Sequence, residues 1–207
     1  MILTAQKGKG KKIHILIDGE YVFTTDDEFW FTSGMKSGMK LTDEEFAEFK
    51  ERADYRFGMN KAIDLLSRRD YSSAELNRKL CEKISPEVAA QVMERVEELS
   101  LIDDEAYAIK MAEYYQQSKG MGKKGIKNQL YRRGIDSDII ERTLENLQGD
   151  EKMSAVALIR KKYYNSLTDE KGRKRVFSAL VRLGYSYSDI RSAMSECAQD
   201  IDFYCED

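Results

Sequence analysis

Proline is nearly absent from this chain, with one residue, Pro86, in 207, and a sequence so poor in it can run long helices without interruption. Cysteine is scarce too. Cys81, Cys197 and Cys205 are scattered and odd in number, which suggests neither a disulfide framework nor a zinc site. The one histidine, His14, stands alone among β-forming residues, so metal ligation has little to work with. No apolar run approaches the roughly 20 residues that span a bilayer. Met1–Lys12 lacks a signal peptide's apolar core. These absences point to a reducing cytoplasm, with no membrane, metal or cofactor.

What is present is charge. Charged residues make up 34% of the chain and hydrophobic ones 42%, a balance suited to a well-solvated shape with much surface. The net charge of -3 conceals segregation. Residues 1–109 balance at -6, residues 110–191 at +8, and the last sixteen residues hold five acids and no base. Such asymmetry speaks of partners and not of fold. A polyanion or an acidic protein surface could dock on the middle of the chain, and the acidic tail could compete for the same surface.

The apolar pattern repeats at a step of 50 residues. Ile126, Leu130 and Gly134 are followed by Val176, Leu180 and Gly184, and Ile140, Leu144 and Leu147 by Ile190, Met194 and Cys197. Backwards, the same step reaches Leu76 and Leu80, with a turn one residue shorter. Units that cannot bury an apolar face alone stack into an array. The expected fold is therefore mainly α: three tandem three-helix repeats in an elongated curved array, with a small N-terminal β-hairpin or sheet. The boundaries expected are 1–54 for the β module and a linking helix, 55–101, 102–149 and 150–198 for the repeats, and 199–207 for an acidic tail.

Within 11–31 the alternation of Ile13, Ile15 and Ile17 leads into Asp18-Gly19, a type I′ hairpin signal, and then Tyr21-Val22-Phe23. Phe29-Trp30-Phe31 reads as a short third strand. Leu16 falls on the face that should be wet, so the sheet is expected to pack on both sides. Thr42-Asp43-Glu44-Glu45 and Ser72-Ser73-Ala74-Glu75 have the form of capping boxes. Ser85-Pro86 supplies a cap and an N1 proline before a helix with Val88, Val92, Val96 and Leu99 inward. Ala62, Ile63, Leu65 and Leu66 lie on the first helix of the first repeat. Lys119-Gly120-Met121-Gly122 breaks a helix, another runs from about Lys123 to Arg133, and Gly134 fits a left-handed C′ position. Asp136 and Ser186 are the caps that follow in the second and third repeats.

Three stretches resemble the RecX family, regulators of the bacterial RecA recombinase. They are Arg69-Asp70-Tyr71-Ser72-Ser73-Ala74-Glu75-Leu76, Leu101-Ile102-Asp103-Asp104-Glu105-Ala106-Tyr107-Ala108, and Lys119-Gly120 leading through Gly125-Ile126 to Leu130 and Gly134-Ile135. The resemblance covers roughly residues 55–198. It departs at Cys81-Glu82-Lys83-Ile84, which lacks a glycine at the first turn. The N-terminal hairpin resembles an extension found in some members. The resemblance implies a non-enzymatic regulator lying in the groove of the RecA filament on single-stranded DNA. There it would restrain filament growth, ATP turnover, strand exchange and co-protease activity, and so act in recombination, DNA repair and the SOS response. Its implied partners are RecA and single-stranded, or double-stranded, DNA, with the protein a monomer.

The residues expected to carry binding are two basic groups one repeat apart. Lys123, Lys124, Lys127, Arg132 and Arg133 lie on or beside one short helix. Arg160, Lys161 and Lys162, with Arg173, Lys174, Arg175 and Arg182, form the second. Either group alone could be no more than a solvated helix face, but two in successive repeats can line up on one side. Tyr114, Tyr115, Tyr131, Tyr163 and Tyr164 are interleaved and could stack on bases, although packing is the plainer role for most of them. Asp103-Asp104-Glu105 reads as a cap with dipole-complementing acids and not as a catalytic cluster. Lys119 to Lys124 lacks the full phosphate-loop pattern. The alternative function is a stand-alone DNA-binding protein whose second and third helices in each repeat act as a helix-turn-helix. An enzyme is distant, since no nucleophile, base and oxyanion site assemble.

Overall fold

A computed structural model describes the backbone of residues 1–204 and the side chains of residues 1–198. The side chains of the expected tail over 199–207, and Cys205, lie outside the described residues. The chain divides into two compact units, one of residues 1–71 and 75–102, the other of 72–74 and 103 onward.

The first unit opens with a three-stranded antiparallel sheet in the order β1 (Leu3–Lys7), β2 (Lys12–Ile17), β3 (Glu20–Asp26). β1 adds a strand ahead of the expected hairpin. Asp18 and Gly19 both have positive φ, 50° and 88°, as a type I′ turn requires. β3 bulges at Val22, where its register with β2 shifts between Ile15 and Leu16; these two consecutive residues of β2 point to opposite faces and are both buried, so the sheet is covered on both sides there.

Phe29-Trp30-Phe31 is not a strand. It belongs to a short helix, α1 (Asp27–Thr32), whose cap Asp26 accepts a bond from the Phe29 N–H. Phe29 and Trp30 turn inward onto Phe49, with ring centroids 5.7 and 6.3 Å away, while Phe31 stays exposed. The long helix α2 (Asp43–Leu66) starts at a complete capping box, the Glu45 N–H donating to the Thr42 hydroxyl and the Thr42 N–H to the Glu45 carboxylate. It serves two cores in one run: Phe49 and Ala53 pack under the sheet, while Ala62 packs against α3 (Ser73–Cys81) and α4 (Pro86–Glu98). Gly58 allows the crossing, since a Cβ there would lie 2.8 Å from both Ile84 Cδ1 and Val92 Cγ2.

Two apolar residues point away from the core, and of them Leu99 is the one expected inward. Ile63 is about half exposed, on the outer side of α2, and Leu99 is exposed because it follows the last turn of α4 as its C-cap. The Cys81–Ile84 turn needs no glycine: among the described residues only Asp18 and Ser100 are non-glycines with positive φ.

In the second unit α5 (Asp104–Gln117), α6 (Lys123–Arg132) and α7 (Ser137–Asn146) enclose one core of Tyr107, Ala112, Ile126, Leu130 and Ile140. A second core, of Ile159, Val176, Leu180 and Ile190, lies among α8 (Glu151–Lys162), α9 (Glu170–Leu183) and α10 (Tyr187–Tyr204). The equivalence extends to hydrogen bonds. Gly134 and Gly184 take φ of 75° and 86°, and the following N–H groups of Ile135 and Tyr185 both return to the leucine carbonyl five residues back, at 3.2 Å.

Candidate nucleic-acid and protein interface

The two basic groups lie on helices that touch. α6 meets the end of α9 through backbone: the Gly122 N–H donates to the Leu183 carbonyl at 3.0 Å. Gly125 and Gly184 make the approach possible, for a Cβ on Gly125 would lie 2.2 Å from the Leu183 oxygen. The first free amide of α6, that of Lys123, is taken by Glu151 at 2.6 Å. Lys124 and Arg182 thus flank one crossing, with Lys127 and Arg132 further along α6 and Arg173, Lys174 and Arg175 nearer the start of α9.

These cations are not equivalent. Arg133 is partly buried and points its guanidinium inward, Nη1 donating to the Tyr107 hydroxyl at 2.8 Å and Nε to that of Tyr115 at 3.0 Å. Both tyrosines are buried, and Arg133 gives each phenol oxygen a charged donor. Arg173 donates through Nε to the Leu167 carbonyl at 2.8 Å. Lys127 reaches Glu141 at 3.4 Å, Lys174 reaches Glu170 at 2.6 Å and Arg160 reaches Glu196 at 3.8 Å. Among the described residues Lys123, Lys124, Arg132, Lys161, Lys162, Arg175 and Arg182 have no ion-pair partner. They are the ones with charge to give.

Lys161 and Lys162 border a cleft of about 240 Å³ that also includes Lys119, Ser118 and Tyr185. Lys119 belongs to this basic surface although charge runs alone do not single it out; its Nζ lies 5.4 Å from the Tyr114 ring. The Tyr185 hydroxyl donates to the Gly120 carbonyl at 3.2 Å, and burial, with Glu151 nearby, pushes its pKa up to about 12. Of the interleaved tyrosines, Tyr131 is 70% and Tyr114 43% exposed, enough to stack on a ligand. Tyr115 is buried and Tyr163 and Tyr164 are partly so.

The acidic triplet is structural. Asp103 caps α5 by accepting from the Ala106 N–H at 2.9 Å, Asp104 accepts from the Ser73 N–H at 2.8 Å, and Glu105 pairs with Arg142 at 2.6 Å. The Ser72 hydroxyl donates to the Arg133 carbonyl. No helix among the described residues is long and apolar enough to cross a membrane.

Tandem three-helix units with glycine-set turns and a cationic side define a class of small helical-repeat proteins. Family models fit two successive stretches, residues 59–95 as "RecX, first three-helix domain" and residues 103–144 as "RecX, second three-helix domain". Relatives named "Regulatory protein RecX" match along the chain. That of Bacillus subtilis is 27% identical over 97% of this chain and 77% of its own length. That of Caldanaerobacter subterraneus is 28% identical over 92% and 95%. The crystal structure of RecX from Lactobacillus salivarius superposes with a TM-score of 0.62 at 25% identity, covering 70% of this chain and 97% of that one. Along most of its length, then, this chain is similar to the RecX regulatory proteins.

Proposed function

We propose that this protein is a non-enzymatic regulator that binds in the groove of the RecA filament on single-stranded DNA. There it restrains the filament's ATPase, strand-exchange and co-protease activities. The observation that carries this reading is the contact of α6 with α9, which joins the unpaired cations of two successive repeats at one backbone crossing. Many weak contacts on a repetitive partner suit a repeat protein better than one deep pocket does. The domain division follows the same lines, with a β module and linking helix to 54, repeats over 55–101, 102–149 and 150–198, and the tail beyond.

The helix-turn-helix alternative fares worse on chemistry. Such a motif reads the major groove with the N-terminal residues of its second helix. Here that helix is α7, which begins Asp136-Ser137-Asp138 and carries Glu141, or α10, which begins Ser186-Tyr187-Ser188-Asp189. Acids at those positions repel phosphate.

The test is ATP hydrolysis by RecA on single-stranded DNA, titrated with this protein at two salt concentrations. A variant with Lys123, Lys124, Arg132 and Arg175 changed to alanine runs beside it. Substoichiometric loss of turnover that the variant fails to cause is the expected result. No effect on turnover, with salt-sensitive binding to bare duplex DNA instead, would overturn the reading.

A further inference from the structure

The N-terminal unit has clefts of its own, and they are cationic where its overall charge is acidic. One of about 600 Å³ lies among Phe29, Arg52, Tyr55 and Arg95. Another, of about 470 Å³, lies among Lys9, Lys11, Lys12 and Phe57. Arg56 and Asn60 line both, so the two adjoin along α2.

The cations divide sharply by partner. Arg56 is committed to Asp26 and Glu28, at 3.2 and 2.6 Å, which hold its pKa above the ordinary value. Arg95 is paired with Glu98 at 2.7 Å. Lys9, Lys11, Lys12 and Arg52 have no ion-pair partner among the described residues. Of the two lining acids, Asp26 is already neutralised by Arg56, and Glu51 accepts from the Gln91 amide at 2.8 Å. The lysines come from the turn between β1 and β2, which the Gly8 N–H closes onto the Lys12 carbonyl at 2.8 Å and Gly10 bends at φ 72°. Beside them the Phe57 ring is 45% exposed.

We propose that this trough binds single-stranded DNA, with Lys9, Lys11, Lys12 and Arg52 neutralising successive phosphates and a base stacked on Phe57. A line of unpaired cations beside a bare ring is the chemistry of single-strand binding, in which the backbone is tracked electrostatically and the bases stack on aromatics. An acidic peptide would satisfy the lysines and leave the ring uncovered. A duplex offers phosphates, but its bases are already stacked on each other. The site needs only the nucleic acid, so it stands or falls apart from any recombinase contact.

The test uses the full chain without recombinase, with fluorescence anisotropy of a labelled oligothymidylate across a salt series. Replacing Lys9, Lys11 and Lys12 with alanine lowers the slope of log affinity against log salt by about 2, at roughly 0.7 for each phosphate no longer neutralised. Phe57→Ala weakens binding roughly tenfold, as loss of one stacked base does, and leaves the slope unchanged. Cross-linking of the unaltered protein to a bromodeoxyuridine oligonucleotide should yield a peptide containing Phe57. Wild-type slope and affinity in both variants, or cross-links confined to peptides of α6 and α9, would overturn the proposal. If the lysine variant loses bare-DNA binding yet still restrains RecA turnover, both the trough and the filament reading stand. Turnover insensitive to the unaltered protein would remove the filament reading alone.

Discussion

Changing Gly125 to alanine alters no charge and no functional side chain, yet it should separate the two basic helices. A relaxed carbon–oxygen contact is about 3.3 Å, whereas a Cβ on Gly125 would lie 2.2 Å from the Leu183 carbonyl oxygen and 2.9 Å from its carbon. The obstacle is backbone, so no rotamer change relieves it. α6 must retreat by about 1 Å, stretching the 3.0 Å bond from the Gly122 N–H to Leu183. Overpacking costs about 1–3 kcal/mol and the weakened bond about 1 more, while alanine regains about 1 as the better helix former. The net loss is about 1–3 kcal/mol, or roughly 2–10 °C in melting temperature for a chain of this size. Circular dichroism during thermal and urea unfolding measures it. Gly58→Ala is the comparison, because its 2.8 Å neighbours are the methyl ends of Ile84 and Val92, which can yield. Gly125→Ala should also weaken restraint of RecA turnover, if α6 and α9 act as one surface. A variant as stable as the parent, or more so, would refute the close approach and with it the argument for a joined surface.

Arg133→Met should destabilise by about 2–4 kcal/mol in urea unfolding, since two buried phenols lose a charged donor. Lys124→Ala, at an exposed position of the same helix, should change stability by less than about 0.5 kcal/mol, so equal losses for the two would show that Arg133 is no more structural than its neighbours. Ser100→Gly should stabilise by about 0.5–1 kcal/mol, because Ser100 holds φ 51° just past α4; a lower melting temperature would contradict this. Stability should fall as pH rises between 10 and about 12, because unfolding frees a phenol that ionises at its ordinary value from one held protonated at Tyr185. Tyr185→Phe should remove that part of the alkaline loss, as read by urea midpoints at successive pH values.

The repeat core was legible because its signal is periodic and redundant. Leu130 and Leu180 recur at one step and are fully buried, and Gly134 and Gly184 share a left-handed φ that other residues adopt at a cost. The missing glycine at Cys81–Ile84 was visible too, and its meaning is a turn that closes without a left-handed residue. The N-terminal module was harder, because short apolar runs do not distinguish strand from helix. Phe29-Trp30-Phe31 has strand composition, yet the three acids before it supply the cap and first-turn charges of a helix, and that local chemistry prevailed over β propensity.

The candidate sites were legible only as inventories of charge. Counting cations located α6 and α9 but could not tell Arg133, spent on two buried phenols, from Arg132 next to it. Averaging over residues 1–109 hid the opposite case. An excess of acids along the chain coexists with a trough where four cations have no ion-pair partner among the described residues, because the acids are used elsewhere as caps, as in Thr42–Glu45, or as partners within α2, as in Lys50–Asp54. Charge that is bound within the fold is unavailable to a ligand. What decides a site is therefore the unpaired remainder, and that remainder depends on side-chain geometry that no one-dimensional count contains.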